Sequence, residues 1–112
     1  MSQSTTAKMI AALNDQFRHG DRTLGEYHST ASVANLPPDQ LRALTQAIAA
    51  FDEFTEDNDP YGEHDLGIVE LNGDRYLWKI DYYDRNLEFC SSDPADPRLT
   101  KRIMTIMLSS EY

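Results

Sequence analysis

Six residues in the second half of the chain, Glu63, His64, Asp65, Asp81, Asp84 and Asp93, are of the types that hold divalent cations. Carboxylates with one imidazole suit magnesium, manganese or zinc, and such an ion activates water or clamps phosphate oxygens. Asp65, Asp81 and Asp84 are the candidate ligands, because Asp65 would open one strand of a hairpin whose partner ends near the other two. His64, flanked by two acids, is the candidate general acid or base. The spacing gives no further support: there is no HExxH and no second histidine in a ligand pattern. No cofactor is expected beyond such an ion. A structural reading competes at every position, since Asp93 and Asp96 precede prolines as turn and cap residues do, and Lys79, Asp81 and Arg75 can form ion pairs across strands.

The densest feature is the run Phe51 to Asp65, with seven carboxylates, one histidine and no lysine or arginine. Such a run needs a cation, a basic partner or open water. Asp57, Asp59 and Gly62 occupy the first, third and sixth positions of a calcium loop, but Tyr61 stands at the fifth and Ile68 replaces the bidentate glutamate at the twelfth, so the pattern fails. Asp52, Glu53, Glu56, Asp57, Asp59, Tyr61 and Glu63 are instead the candidate binding surface for a basic protein. Across the chain 19 acids oppose 10 bases, a formal charge of −9. That field repels phosphate backbones and anionic lipid, which disfavours direct nucleic-acid and membrane binding.

The elements that must position these groups follow from periodicity. At 112 residues the chain is expected to form one domain, with the first four residues disordered. Met9, Ile10, Leu13 and Phe17 share one helical face, which predicts a helix over Thr5 to His19 ended by Gly20. Thr23 to Thr30 suits a strand or extended loop. Pro38 opens a second helix to about Phe54, with Leu41, Leu44, Ile48 and Phe51 as its apolar stripe. Asp65 to Leu71 and Arg75 to Tyr83 read as strands joined by Asn72-Gly73, the dipeptide best suited to a tight hairpin. Tyr76, Trp78, Ile80 and Tyr82 then share one face.

A short third strand is expected at Leu87 to Cys90, with Cys90 a small buried hydrophobe rather than a nucleophile. Asp96 and Pro97 are expected to open a last helix reaching Leu108, with Leu99, Ile103, Met104, Ile106 and Met107 buried. The expected class is α+β: a small antiparallel sheet, a hairpin-based meander of three to four strands, with about three helices on one face. One cysteine excludes an intramolecular disulfide, and neither a signal peptide nor a membrane span is recognisable, so a cytoplasmic location is expected.

The blocks ALNDQFR (Ala12 to Arg18), NDPYGEHD (Asn58 to Asp65), WKIDYYD (Trp78 to Asp84), SDPADP (Ser92 to Pro97) and RIMTIMLSSEY (Arg102 to Tyr112) resemble, in order, the bacterial domain-of-unknown-function family 3768. The resemblance implies no activity. Relatives of this kind occur among alphaproteobacteria, often with mobile or plasmid-borne DNA, which implies a role in element maintenance or in countering host defence. The family carries glycines after the first helix that this chain keeps only in part, as Gly20 and Gly25.

Three functions compete. The preferred one is an interaction module whose carboxylates meet a basic host protein, as an anti-restriction or anti-CRISPR protein that imitates DNA would. The alternative is a divalent-metal-dependent hydrolase built on Asp65, Asp81, Asp84 and His64. The third is a structural subunit or homodimer using apolar surface on the final helix, such as Met104 or Met107.

Overall fold

The computed structural model describes residues 5–112, so the expectation for the first four residues lies outside it. The element order is α1 (Thr5–Arg18), β1 (Gly25–Ser29), α2 (Ala31–Ala34), α3 (Pro38–Ala50), β2 (Leu66–Leu71), β3 (Asp74–Tyr83) and β4 (Lys101–Leu108), closed by a 3₁₀ turn at Ser109–Glu111. The strands form one sheet in the order β1-β4-β3-β2. The α+β class holds, with three helices and four strands among the described residues. β2, β3 and β4 pair antiparallel, whereas β1 runs parallel to β4, so the sheet is mixed.

The hairpin forms as the sequence dictates. Asn72 and Gly73 both take positive φ, 53° and 85°, which matches the turn to the right-handed twist of its strands. Strand register then places Tyr76, Trp78, Ile80 and Tyr82 with Met104, Ile106 and Val69 on one face. Phe17 of α1, Val33 of α2, and Leu44 and Ile48 of α3 pack there as one core. Trp78 is fully buried opposite Gly67, and a Cβ at Gly67 would lie 2.7 Å from the indole, so only glycine fits. Gly25 is fixed more strictly, since its Cβ would meet the Arg102 carbonyl oxygen at 1.9 Å.

Three expected elements are overturned, and with them the expected burial of Leu99 and Cys90. The segment expected to be a last helix is strand β4. It lies between β1 and β3 and is buried on both faces, so its apolar residues run on without the alternation that marks a half-exposed strand. Leu99 precedes it and is exposed, while Ile103, Met104, Ile106 and Met107 are buried, which removes Met104 and Met107 as an apolar outer surface. Leu87 to Cys90 is a loop touching the sheet through a single Tyr83 to Cys90 bridge. The Asp84 carboxylate accepts the N–H groups of Asn86, Glu88 and Phe89, which curls the chain away from pairing. Cys90 is accordingly an exposed free thiol.

The third correction concerns α3, which ends at Ala50 rather than Phe54. Arg18 supplies the stop: one guanidinium nitrogen donates to the carbonyls of Ile48, Ala49 and Phe51 at 2.6, 3.0 and 2.8 Å. A cation at the negative end of a helix dipole satisfies carbonyls that have no partner within the helix. Phe51 then turns extended, and with Phe54 it packs edge-on against Trp78.

Candidate functional site

The acidic segment after α3 is held from within. Asn14 and Arg18 lie in the buried stripe of α1, and Asp15 borders it. The Asn14 amide donates to the Glu63 carbonyl and to the Tyr82 hydroxyl, both at 2.9 Å, and its oxygen accepts from Arg102 Nε at 2.6 Å. The arginine can only donate, so the amide oxygen must face it, and all hydrogens and the oxygen of the Asn14 amide are used. The Tyr82 hydroxyl donates a hydrogen bond to Glu63 Oε1 at 2.9 Å. Burial, with Asp65 and Glu63 nearby, pushes the Tyr82 phenol well above its ordinary range.

Arg102 is fully buried and belongs to no ion pair among the described residues. It donates to the Pro94 carbonyl at 2.7 Å and lies over the Tyr82 ring, 5.3 Å from its centre, while its Nη1 has no partner. Burial lowers its pKa, and the neighbouring Glu63 carboxylate and Tyr82 hydroxyl oppose that shift. The Glu63 carboxylate therefore partly offsets a charge that no ion pair among the described residues neutralises directly.

Asp59 anchors the next turn. Its N–H donates to the Thr55 carbonyl at 2.8 Å, and its carboxylate accepts the N–H groups of Glu63 and His64 at 3.0 and 3.2 Å. Those bonds hold His64 in the left-handed region, φ 56°, an uncommon conformation outside glycine. Three contacts restrain the imidazole, whose side chain is 26% exposed. Nδ1 lies 2.9 Å from Asp15 Oδ1, Nε2 lies 3.9 Å from Asp59 Oδ2, and the ring stacks on Phe54 at 3.9 Å with an interplanar angle of 2°. Asp15 also accepts from Arg18 at 2.9 Å, so one carboxylate ties α1, the end of α3 and the acidic segment together.

Asp65 follows, half-buried, and burial with the charges of Glu63 and Asp59 raises its carboxyl to about 6. Chemically this inner cluster is nearly saturated. Both nitrogens of the candidate base His64 face carboxylates rather than a substrate space, and neither His64 nor Asp65 lines the groove described below.

Outside this network the arrangement reverses. Asp52, Glu53, Glu56 and Asp57 are exposed, and none forms an ion pair among the described residues. Tyr61 beside them is 79% exposed. Local bonds shape their backbone: Asn58 accepts from Thr55 N–H at 2.8 Å and donates to the Glu53 carbonyl at 2.9 Å. An open groove of about 430 Å³ runs between the end of α3 and the sheet edge, walled by Ala47, Ala50, Phe51, Ile68 and Val69, with Asp52, Glu53, Glu70 and Arg75 at its polar margin.

The expected binding set thus divides. Asp52, Glu53, Glu56, Asp57 and Tyr61 face outward, while Asp59 is buried and Glu63 is engaged with Tyr82. The expected metal ligands do not converge. Register places Asp65 and Asp81 on opposite faces of the sheet, Asp81 is paired with Lys79, and Asp84 is occupied by backbone N–H groups. Asp93 caps the N–H of Ala95 at 3.1 Å. Among the described residues no group of three or more histidine, cysteine, aspartate or glutamate side chains is placed to hold a metal ion.

Asn14, Asp15, Arg18 and Arg102 were not singled out from the sequence. A signal existed for Asn14 and Arg18, which stand within or beside the apolar stripe of α1, four residues after Ile10 and one after Phe17. A polar residue inside an apolar stripe requires a buried partner. Among the described residues no helix is long and apolar enough to cross a membrane.

A family model described as protein of unknown function (DUF3768) matches residues 29–111. No curated protein and no solved structure matches the chain.

Proposed function

The chain belongs to the DUF3768 family, and we propose that it is an interaction module that presents Asp52, Glu53, Glu56 and Asp57 to a basic surface on a partner protein. The observation that carries this reading is the division of the acidic segment: Asp59, Glu63 and Asp65 turn inward, while four carboxylates remain exposed and without an ion pair among the described residues, on a backbone shaped by the Thr55 and Asn58 bonds. Carboxylates on an ordered scaffold cost little entropy to align with lysine and arginine, and a −9 chain steers such a partner over long range. A protein whose basic surface ordinarily takes phosphates is the partner class that suits them best, and a mobile-element protein acting on host nucleic-acid machinery is one instance. A cytoplasmic setting suits the exposed free thiol of Cys90. The hydrolase alternative draws no support from the placement of Asp65, Asp81 and Asp84.

The test is titration of a labelled lysine-rich peptide at rising salt against three proteins. These are the wild type, a variant carrying Asp52→Asn, Glu53→Gln, Glu56→Gln and Asp57→Asn, and a charge-matched variant carrying Asp39→Asn, Asp74→Asn, Glu88→Gln and Asp93→Asn. The expected result is a loss of roughly tenfold in affinity and a shallower salt slope for the first variant, with a loss of about twofold or less for the second. Equal losses would mean that only net charge matters, and the proposed surface would be withdrawn.

A further inference from the structure

The sheet order leaves β2 as an edge strand. The phase of its pairing is fixed by Ile80 N–H, which donates to the Asp65 carbonyl at 2.8 Å. In an antiparallel pair, bonded and non-bonded positions alternate. Asp65, Gly67, Val69 and Leu71 therefore direct their backbone groups at β3, while Leu66, Ile68 and Glu70 direct theirs outward. These three outward positions have no backbone partner among the described residues. Natural edges are usually blunted by charged residues, lysine above all, by proline or by a bulge, and β2, LGIVEL, has only Glu70 among these. Its outward side chain Ile68 is 40% exposed. The groove described above borders this edge, with Phe51 and Val69 in its apolar wall and Asp52, Glu53 and Glu70 at its margin.

We propose that the free edge of β2 receives an extended, basic segment of a partner protein as a fifth strand of the sheet. This rests on the reading of the acidic surface as a site for basic partners, and it specifies how one such segment is held. Main-chain bonds to Leu66, Ile68 and Glu70 would supply affinity, and alternate side chains would supply choice. Residues of the incoming strand opposite Val69 would enter the groove beside Phe51, which favours apolar or β-branched types. Neighbouring lysines or arginines would meet Asp52, Glu53 and Glu70. Arg75, the one cation there, is held to Glu70 only at 3.7 Å, with both side chains largely exposed, so it can swing aside. A second copy of the chain fits less well, because each copy carries −9 and brings the same acids to the edge.

The test uses two labelled synthetic peptides of about ten residues, alternating lysine with valine or threonine, identical except that the central backbone amides of one are N-methylated. Methylation keeps charge and side chains but removes the strand donors. Binding is followed by anisotropy, and exchange at the Leu66, Ile68 and Glu70 amides by NMR. The expected result is binding of the unmethylated peptide at least about tenfold tighter than its twin, with slowed exchange at those three amides. Equal binding of the twins would overturn strand addition while leaving charge capture intact. Failure of both peptides to bind at low salt would overturn both readings. Self-association of the peptide-free protein through this edge, seen by sedimentation, would assign it to a second copy and overturn the proposal.

Discussion

The two halves of the acidic segment have similar composition and opposite roles. From Asp52 to Asp57 the carboxylates stand in solvent. From Asp59 to Asp65 they cap backbone N–H groups, accept a hydrogen bond from the Tyr82 hydroxyl and border a buried arginine. The difference lies in what the fold brings against each half. Asn14 and Asp15 of α1 and Tyr82 of β3 reach the second half from distant parts of the sequence, whereas Arg18 and Trp78 meet the first only at the Phe54 ring and, among the described residues, no side chain reaches its carboxylates. Charge density in a sequence therefore marks a region, while burial decides which of its acids remain available.

Substitution at Asp59 should separate the halves most strongly. Asp59→Ala removes the acceptor for two N–H groups and the restraint on left-handed His64, and is expected to cost about 2–3 kcal/mol in chemical denaturation. An effect below about 0.5 kcal/mol would erase the distinction.

Asp65 sharpens the comparison through pH. Its carboxyl is raised from 3.8 to about 6, so the folded state holds this proton more tightly than the unfolded chain. Its contribution to stability is full below the unfolded value and is lost as pH rises through about 6. Asp65→Asn should therefore gain about 1 kcal/mol near neutral pH, a figure reduced because the group is only half-buried, and little near pH 4, with stability measured across that range. The smallest effect belongs to the outer half. Neutralising Asp52, Glu53, Glu56 and Asp57 together should alter stability by less than about 0.5 kcal/mol, in the stabilising direction at low salt, because these side chains have no partners to lose among the described residues.

Features set by near neighbours were legible in the sequence. The hairpin follows from Asn72-Gly73, and Ile10 and Phe17 of α1 and Leu44 and Ile48 of α3 follow from apolar spacing and the Pro38 start, whereas Met9, expected on the same face of α1, is exposed. Features set by distant partners were not. Ile103, Met104, Ile106 and Met107 fit helical spacing, and Asp96-Pro97 imitates a helix start, yet β1 and β3 claim the segment from either side. The density of Ile103, Thr105 and Ile106, all β-branched, was the available hint of a strand. Likewise Phe54 was expected in a helix because nothing local announces that Arg18, thirty-three residues before Phe51, closes α3. The metal reading of Asp65, Asp81 and Asp84 brought strand ends together correctly in chain order but took no account of face, which register alone decides.

Amide hydrogen exchange across residues 52–65 of the wild-type protein tests the division most directly. The N–H groups of Asp59, Gly62, Glu63 and His64 are each bonded within the fold and should exchange slowly, whereas those of Glu56 and Asp57 should exchange at close to unfolded rates. Uniformly fast exchange through Glu63 and His64 would contradict the division, because the inner acids would then hold nothing in place.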